Sequence, residues 1–204
     1  MTMKRQIIFA SIMMLAAGAY AQHEVGSVTF QPKVGMNIST FTKDDYADPR
    51  VGLVLGMDFE YQLNQRLGLS AGLLYSMQGA EGRASIGNYA PLAMTLETDY
   101  VIFPIMANVY VVKGLALKIG IQPGINVVAD YTVSSKNGSS YGGSLKDADM
   151  DVNTFYLDIP IGLSYEFSRI VIDARYNLGL TRIASYDISK HSVFQFTLGY
   201  KIPL

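Results

Sequence analysis

Val51-Gly52-Leu53-Val54-Leu55-Gly56-Met57-Asp58-Phe59-Glu60-Tyr61-Gln62 is the stretch on which the fold turns. Its odd-numbered residues are all bulky and apolar, whereas its even-numbered ones are Gly, Val, Asp, Glu or Gln. Side chains that change face at every residue belong to a β-strand. One face of this strand is greasy, and the other is small or charged. The same period of two recurs over residues 28–39, 67–78, 115–126, 155–167, 170–181 and 194–202. A further segment, roughly Leu96 to Val111, is irregular, because Tyr100, Ile102, Pro104 and Met106 would share a face with Asn108. Eight strands are predicted.

The connections alternate in length. Strands two and three meet at Asn64-Gln65, four and five at Val112-Lys113-Gly114, and six and seven at Ser168-Arg169, all short enough for tight hairpins. The others are longer and polar: Phe41 to Arg50, Gly79 to Thr95, Ala129 to Asn153 and Ile183 to Lys190. Short turns at one end and long loops at the other describe an up-and-down meander. Eight strands near the length that crosses a bilayer at a tilt match an all-β, antiparallel transmembrane barrel with short periplasmic turns and longer extracellular loops.

Composition narrows the alternatives. The 204 residues are 50% hydrophobic and 16% charged, with a mean hydropathy of +0.20, too apolar for a disordered chain. No cysteine is present, which excludes disulfides, thiolate metal sites and a lipid-modified N-terminal cysteine. The formal charge of −1 comes with no basic patch, so nucleic acid is not an expected partner. Residues 1–21 read as a cleaved signal peptide: Lys4 and Arg5, then the apolar run from Ile7 to Gly18, then Ala19-Tyr20-Ala21 as the small-x-small cleavage site. The barrel domain is then 22–204. No later stretch approaches the ~18 apolar residues of a membrane helix.

Which face meets lipid follows from what the polar face contains. A soluble barrel turns Lys, Glu and Thr to water and packs bulky groups inside. Here the polar face carries small residues and charges of both signs: Lys33, Lys118, Arg175 and Lys201 with Asp58, Glu60, Asp158, Glu166 and Asp173. Small residues suit a lumen that side chains just fill, and opposite charges there can pair. These nine residues are expected to form a structural charge network inside the barrel, and a lumen so filled argues against a constitutive pore. The bulky face carries aromatics near the strand ends, with Phe59, Tyr61, Tyr165, Phe167 and Tyr200 at the turn end and Phe41, Tyr75 and Phe155 at the loop end, as in two interfacial girdles. On this reading Leu55→Arg is costly, and Gly56→Ser, facing the lumen, is mild.

The chain resembles the small outer-membrane β-barrel proteins of Gram-negative bacteria called PorT-like or "porin family". The resemblance covers essentially all of residues 22–204. It rests on Leu69-Ser70-Ala71-Gly72-Leu73-Leu74-Tyr75-Ser76 with Gln78-Gly79 after it, and on Tyr-x-x-x-Pro-Ile at Tyr100 to Ile105 and again at Tyr156 to Ile161. It rests also on the closing strand Val193 to Tyr200, which is similar to the aromatic-rich signal read by barrel assembly machinery. The sequence departs from the family pattern at Ile102, commonly acidic, and in running past Tyr200 through Lys201-Ile202-Pro203-Leu204. The resemblance implies an outer-membrane location, contact with lipid and lipopolysaccharide, and an accessory role in secretion.

Chemistry is sparse. His23 lies beside the cleavage site; His191 precedes Ser192, but neighbours on a strand point to opposite faces, so His191 is read as an interfacial or loop residue. Asp58 and Asp158 are assigned to ion pairs with the basic lumen residues. The acidic segment Asp147 to Asp151 lacks the glycine of a calcium loop, since Val152 stands there. The stretch Ser134 to Ser144 carries turn chemistry without a phosphate-binding element. No catalytic, cofactor-binding or metal-binding residue is predicted. The leading expectation is a non-enzymatic structural or interaction barrel with a protein partner at its loops or periplasmic turns; the alternatives are a small-solute or gated transport barrel and a lipid-modifying enzyme.

Overall fold

The computed structural model describes residues 24–41, 47–84, 92–135, 140–145, 153–182 and 190–204. The predicted signal peptide, His23 and the acidic segment Asp147 to Asp151 lie outside the described residues. The strands are β1 (Val28–Phe41), β2 (Ala47–Asn64), β3 (Leu67–Ala84), β4 (Leu92–Ile102), β5 (Ile105–Val112), β6 (Leu115–Ser135), β7 (Ser140–Ser144), β8 (Phe155–Phe167), β9 (Ile170–Arg182), β10 (Lys190–Tyr200) and β11 (Ile202–Pro203). All pair antiparallel with their neighbours. The sheet closes where β1 meets β10, from Lys33 opposite Gly199 to Phe41 opposite His191.

The ring has eight staves. β4 and β5 form one of them, because each pairs with β3 and with β6. The interruption falls at Phe103-Pro104, where proline has no N–H to give the ladder. Hydrogen bonding continues through it: the Phe103 N–H donates to the Pro123 carbonyl at 2.8 Å, and the Gly72 N–H donates to the Pro104 carbonyl at 2.9 Å. The irregular reading of this segment has a physical reason, since Tyr100, Ile102, Pro104, Met106 and Asn108 are all buried and all face the lumen. β11 continues β10 after a break at Lys201, and β7 is an added strand that, among the described residues, pairs with β6 alone.

The strands run further than the hydrophobic pattern predicts. β3 extends to Ala84, β4 starts at Leu92, and β6 reaches Ser135, all inside segments expected to be loops. Their outer parts pair in regular register, Glu81 with Thr95 and Thr132 with Gly142. Beyond the bilayer both faces of a strand meet water, so the alternation of greasy and polar residues is no longer required there. Part of the Ser134 to Ser144 stretch is likewise strand, and its residues 136–139 are outside the described ones. The β2–β3 turn falls on Gln65-Arg66, one residue later than expected, and Asn64 Oδ1 accepts the backbone N–H groups of Arg66 and Leu67 at 2.9 and 3.0 Å.

Orientation is as the residue parity requires. On the outer wall Val34, Leu55, Ile119 and Leu198 are 45–53% exposed, while on the alternate positions Lys33, Asp58, Lys118 and Asp173 are no more than 5% exposed. A greasy exterior around a charged interior belongs in a bilayer. The lumen also holds an apolar layer of Val54, Leu74, Tyr100, Ile102 and Tyr156.

The interior is tight enough to correct one expectation. A Cβ on Gly56 would stand 2.1 Å from the Leu73 carbonyl oxygen and 2.8 Å from Leu74 Cα. Backbone cannot yield as a side-chain tip does, so Gly56→Ser is destabilising. We expect Leu55→Arg to cost ~2–4 kcal/mol at mid-bilayer depth, with Gly56→Ser also unstable and Thr197→Ser, buried in the lumen, close to wild type. Urea unfolding from phospholipid vesicles checks all three; a mild Leu55→Arg contradicts the orientation.

Candidate functional site

The lumen is the candidate site, and its charged residues lie in tiers. Nearest the short turns, Lys201 reaches across the barrel. Its Nζ lies 3.0 Å from Glu60 Oε2 on β2 and 3.0 Å from Glu166 Oε2 on β8, and it donates to the Tyr110 hydroxyl on β5 at 2.9 Å. Tyr110 in turn donates to Glu60 Oε1 at 2.5 Å. Strand alternation turns Lys201 inward between the exposed Tyr200 and Ile202, and one ammonium thereby ties three other staves together.

A second tier stands above it. Lys33 on β1 donates to Asp58 on β2. Arg175 and Asp173, two apart on β9 and so on one face, make a two-pronged contact of 2.8 and 3.0 Å, a geometry that suits the planar guanidinium. Lys118 on β6 donates to the same carboxylate at 2.8 Å. Gly72 makes room for Asp58, whose Oδ1 a Cβ there would meet at 2.0 Å. Eight of the nine predicted lumen charges are thus brought together in ion pairs.

Asp158 is not. It lies toward the loop end of β8, fully buried, and accepts hydrogen bonds from the Tyr156 hydroxyl and from Gln122 Nε2, the latter at 3.4 Å. Its expected ion pair is therefore corrected: Lys33, Lys118, Arg175 and Lys201 pair with other acids in the lower tiers, and amide and phenol groups surround the carboxylate instead. His191 is corrected as well. It is neither interfacial nor in a loop but 2% exposed inside the lumen, its Nε2 2.9 Å from the Tyr100 hydroxyl and its ring edge-on to Tyr100 and Tyr156. Parity carried the signal, because His191 is in step with the lumen residues Val193, Gln195 and Thr197. The neighbouring Ser192 hydroxyl lies 2.8 Å from that of Tyr176, on the opposite face, so the two do not form a nucleophile and base pair.

The aromatics of the outer wall fall where the strand ends place them. Phe59, Tyr61, Tyr165, Phe167 and Tyr200 are exposed at the turn end and Phe155 at the loop end. Tyr75 is half-buried, its hydroxyl donating to Asp99 Oδ2 at 2.6 Å, and the side chain of Phe41 is outside the described residues. Among the described residues no group of three or more His, Asp or Glu is placed to hold a metal ion.

A closed eight-stave sheet with an apolar exterior and a charge-filled lumen defines a small outer-membrane β-barrel protein. Residues 20–185 match the family model described as "Outer membrane protein beta-barrel domain", and the chain belongs to that family. Among solved structures it is similar to Neisserial surface protein A, at 11% identity over 86% of this chain and 97% of that one, with a TM-score of 0.51. It also aligns with Ail, the attachment invasion locus protein of Yersinia pestis, at 15% identity, 88% and 100% coverage and a TM-score of 0.49. OprG of Pseudomonas aeruginosa aligns at 11% identity, 88% and 97% coverage and a TM-score of 0.45. A search of curated proteins finds no match. The family places the protein in the outer membrane.

The Lys201 tier generates a testable balance. Lys201→Met leaves Glu60 and Glu166 buried without their ammonium, and is expected to cost ~3–5 kcal/mol. Combining it with Glu60→Gln and Glu166→Gln removes the stranded charges and should recover most of that loss in unfolding measurements.

Proposed function

We propose that this protein is a non-enzymatic outer-membrane barrel whose lumen is a permanent plug and whose extracellular strand extensions make its contacts with partners. The observation that carries the reading is the set of ion pairs spanning the lumen between different staves: Lys33 to Asp58, Lys118 to Asp173, and Lys201 to Glu60 and Glu166. An eight-stranded interior has room for little beyond its own side chains, and opening a solute path through it would strand buried charges.

Export through a signal peptide at residues 1–21, folding by barrel assembly machinery and contact with lipopolysaccharide belong to this proposal. The motifs at Leu69 to Gly79, Tyr100 to Ile105 and Tyr156 to Ile161 add membership of the PorT-like group and an accessory role in secretion. Interaction is favoured over catalysis because His191 and Ser192 face opposite sides of the wall. It is favoured over transport because the lower tiers are held by paired charges.

Planar-bilayer recording of the purified protein tests the reading. The wild type is expected to give no stable open-channel current, and a steady conductance at modest voltage would sink the plugged barrel in favour of a small-solute porin.

A further inference from the structure

The lumen charges do not balance at every height. The bases Lys33, Lys118, Arg175 and Lys201 are matched by Asp58, Asp173, Glu60 and Glu166 in the lower tiers. Asp158 is the fifth acid, 0% exposed, and among the described residues no cation lies within ion-pair distance of it. An isolated carboxylate in such a place is costly unless something compensates it.

Its neighbours point to the kind of compensation. The Tyr156 hydroxyl and Gln122 Nε2 both donate to Asp158 Oδ2. Gln78 Nε2 lies 3.5 Å from the Tyr156 hydroxyl and 3.0 Å from Ser76 Oγ. The Tyr156 hydroxyl and the Gln78 amide nitrogen thus donate within this string. What is left over is oxygen: Asp158 Oδ1, Gln122 Oε1 and Gln78 Oε1 are buried without a hydrogen-bond partner, and both glutamines are 0% exposed.

Water brings protons but no charge, and so does not offset a buried carboxylate. Transition metals prefer imidazole and thiolate, and the chain has no cysteine. Calcium and magnesium sites of protein oxygens generally use more than one carboxylate. One carboxylate with neutral amide oxygens is the donor set of a singly charged, hard cation.

We propose that the upper lumen binds one small monovalent cation of the sodium or potassium class, with Asp158 Oδ1 as its anionic ligand and the amide oxygens of Gln122 and Gln78 as neutral ones. The ion neutralises the acid left over by the ion-pair network. It also bridges β3, β6 and β8, the strands that carry Gln78, Gln122 and Asp158.

Thermal unfolding of the detergent-purified full barrel in sodium, potassium or N-methylglucamine chloride at equal ionic strength tests this. The wild-type midpoint is expected to stand several degrees higher in sodium or potassium than in the bulky organic cation, as mass action requires of a ligand bound only by the folded state. Asp158→Asn should abolish the difference. Should that variant fail to fold, Gln122→Leu, which keeps the carboxylate, should reduce the difference, and thallous ions soaked into wild-type crystals should give an anomalous peak beside Asp158. Equal wild-type midpoints in all three salts, a cation dependence unchanged in Asp158→Asn or Gln122→Leu, or no thallium peak at Asp158 would each overturn the site and leave a protonated carboxyl in its place.

Discussion

Hydrocarbon offers a backbone no hydrogen-bond partner, and that constraint organises the whole molecule. Each N–H and C=O within the bilayer must be satisfied by the chain itself, which a sheet achieves only by closing on itself. The seam between β1 and β10 is therefore the contact on which the rest depends. Closing with eight staves fixes a narrow lumen, and the narrow lumen explains both the close glycines and the inward side chains that reach one another from distant strands.

In that confined space the charges act as cross-braces. Ion pairs at a water-exposed surface contribute little; here Lys33 with Asp58, Lys118 with Asp173 and Lys201 with Glu60 and Glu166 each hold different staves at a set distance while being expensive to break. Lys201 illustrates the arrangement, drawing β2, β5 and β8 onto the end of β10. Above the braces the filling changes in kind, to the apolar layer of Val54, Leu74 and Ile102 and the ring cluster of Tyr100, Tyr156 and the edge-on His191.

Residue parity made the fold and its orientation legible, because a bilayer forces every second residue of a crossing strand to be apolar. The same parity covers the lumen set, including Asp158 and His191, although the closeness of His191 to a loop points the other way. Parity does not carry pairing. Which acid meets which base depends on how far each strand slides past the next, so Asp158 looked like another ion-pair partner. Nor does it carry close approach: Gly56 reads as one more small residue until the Leu73 carbonyl is seen against it. The extended ends of β3 and β6 escaped for a third reason, since the force that writes the pattern stops at the membrane surface.

Those extended ends also make the barrel uneven about its axis. β2 and β3 have 18 residues each and β6 has 21, with β7 added beside it, whereas β8 and β9 have 13 and β10 has 11. Among the described residues the rim is a crest on one side and a low sill on the other. The molecule thus has a front and a back in the plane of the membrane, and rotation about the bilayer normal decides what a neighbouring molecule meets.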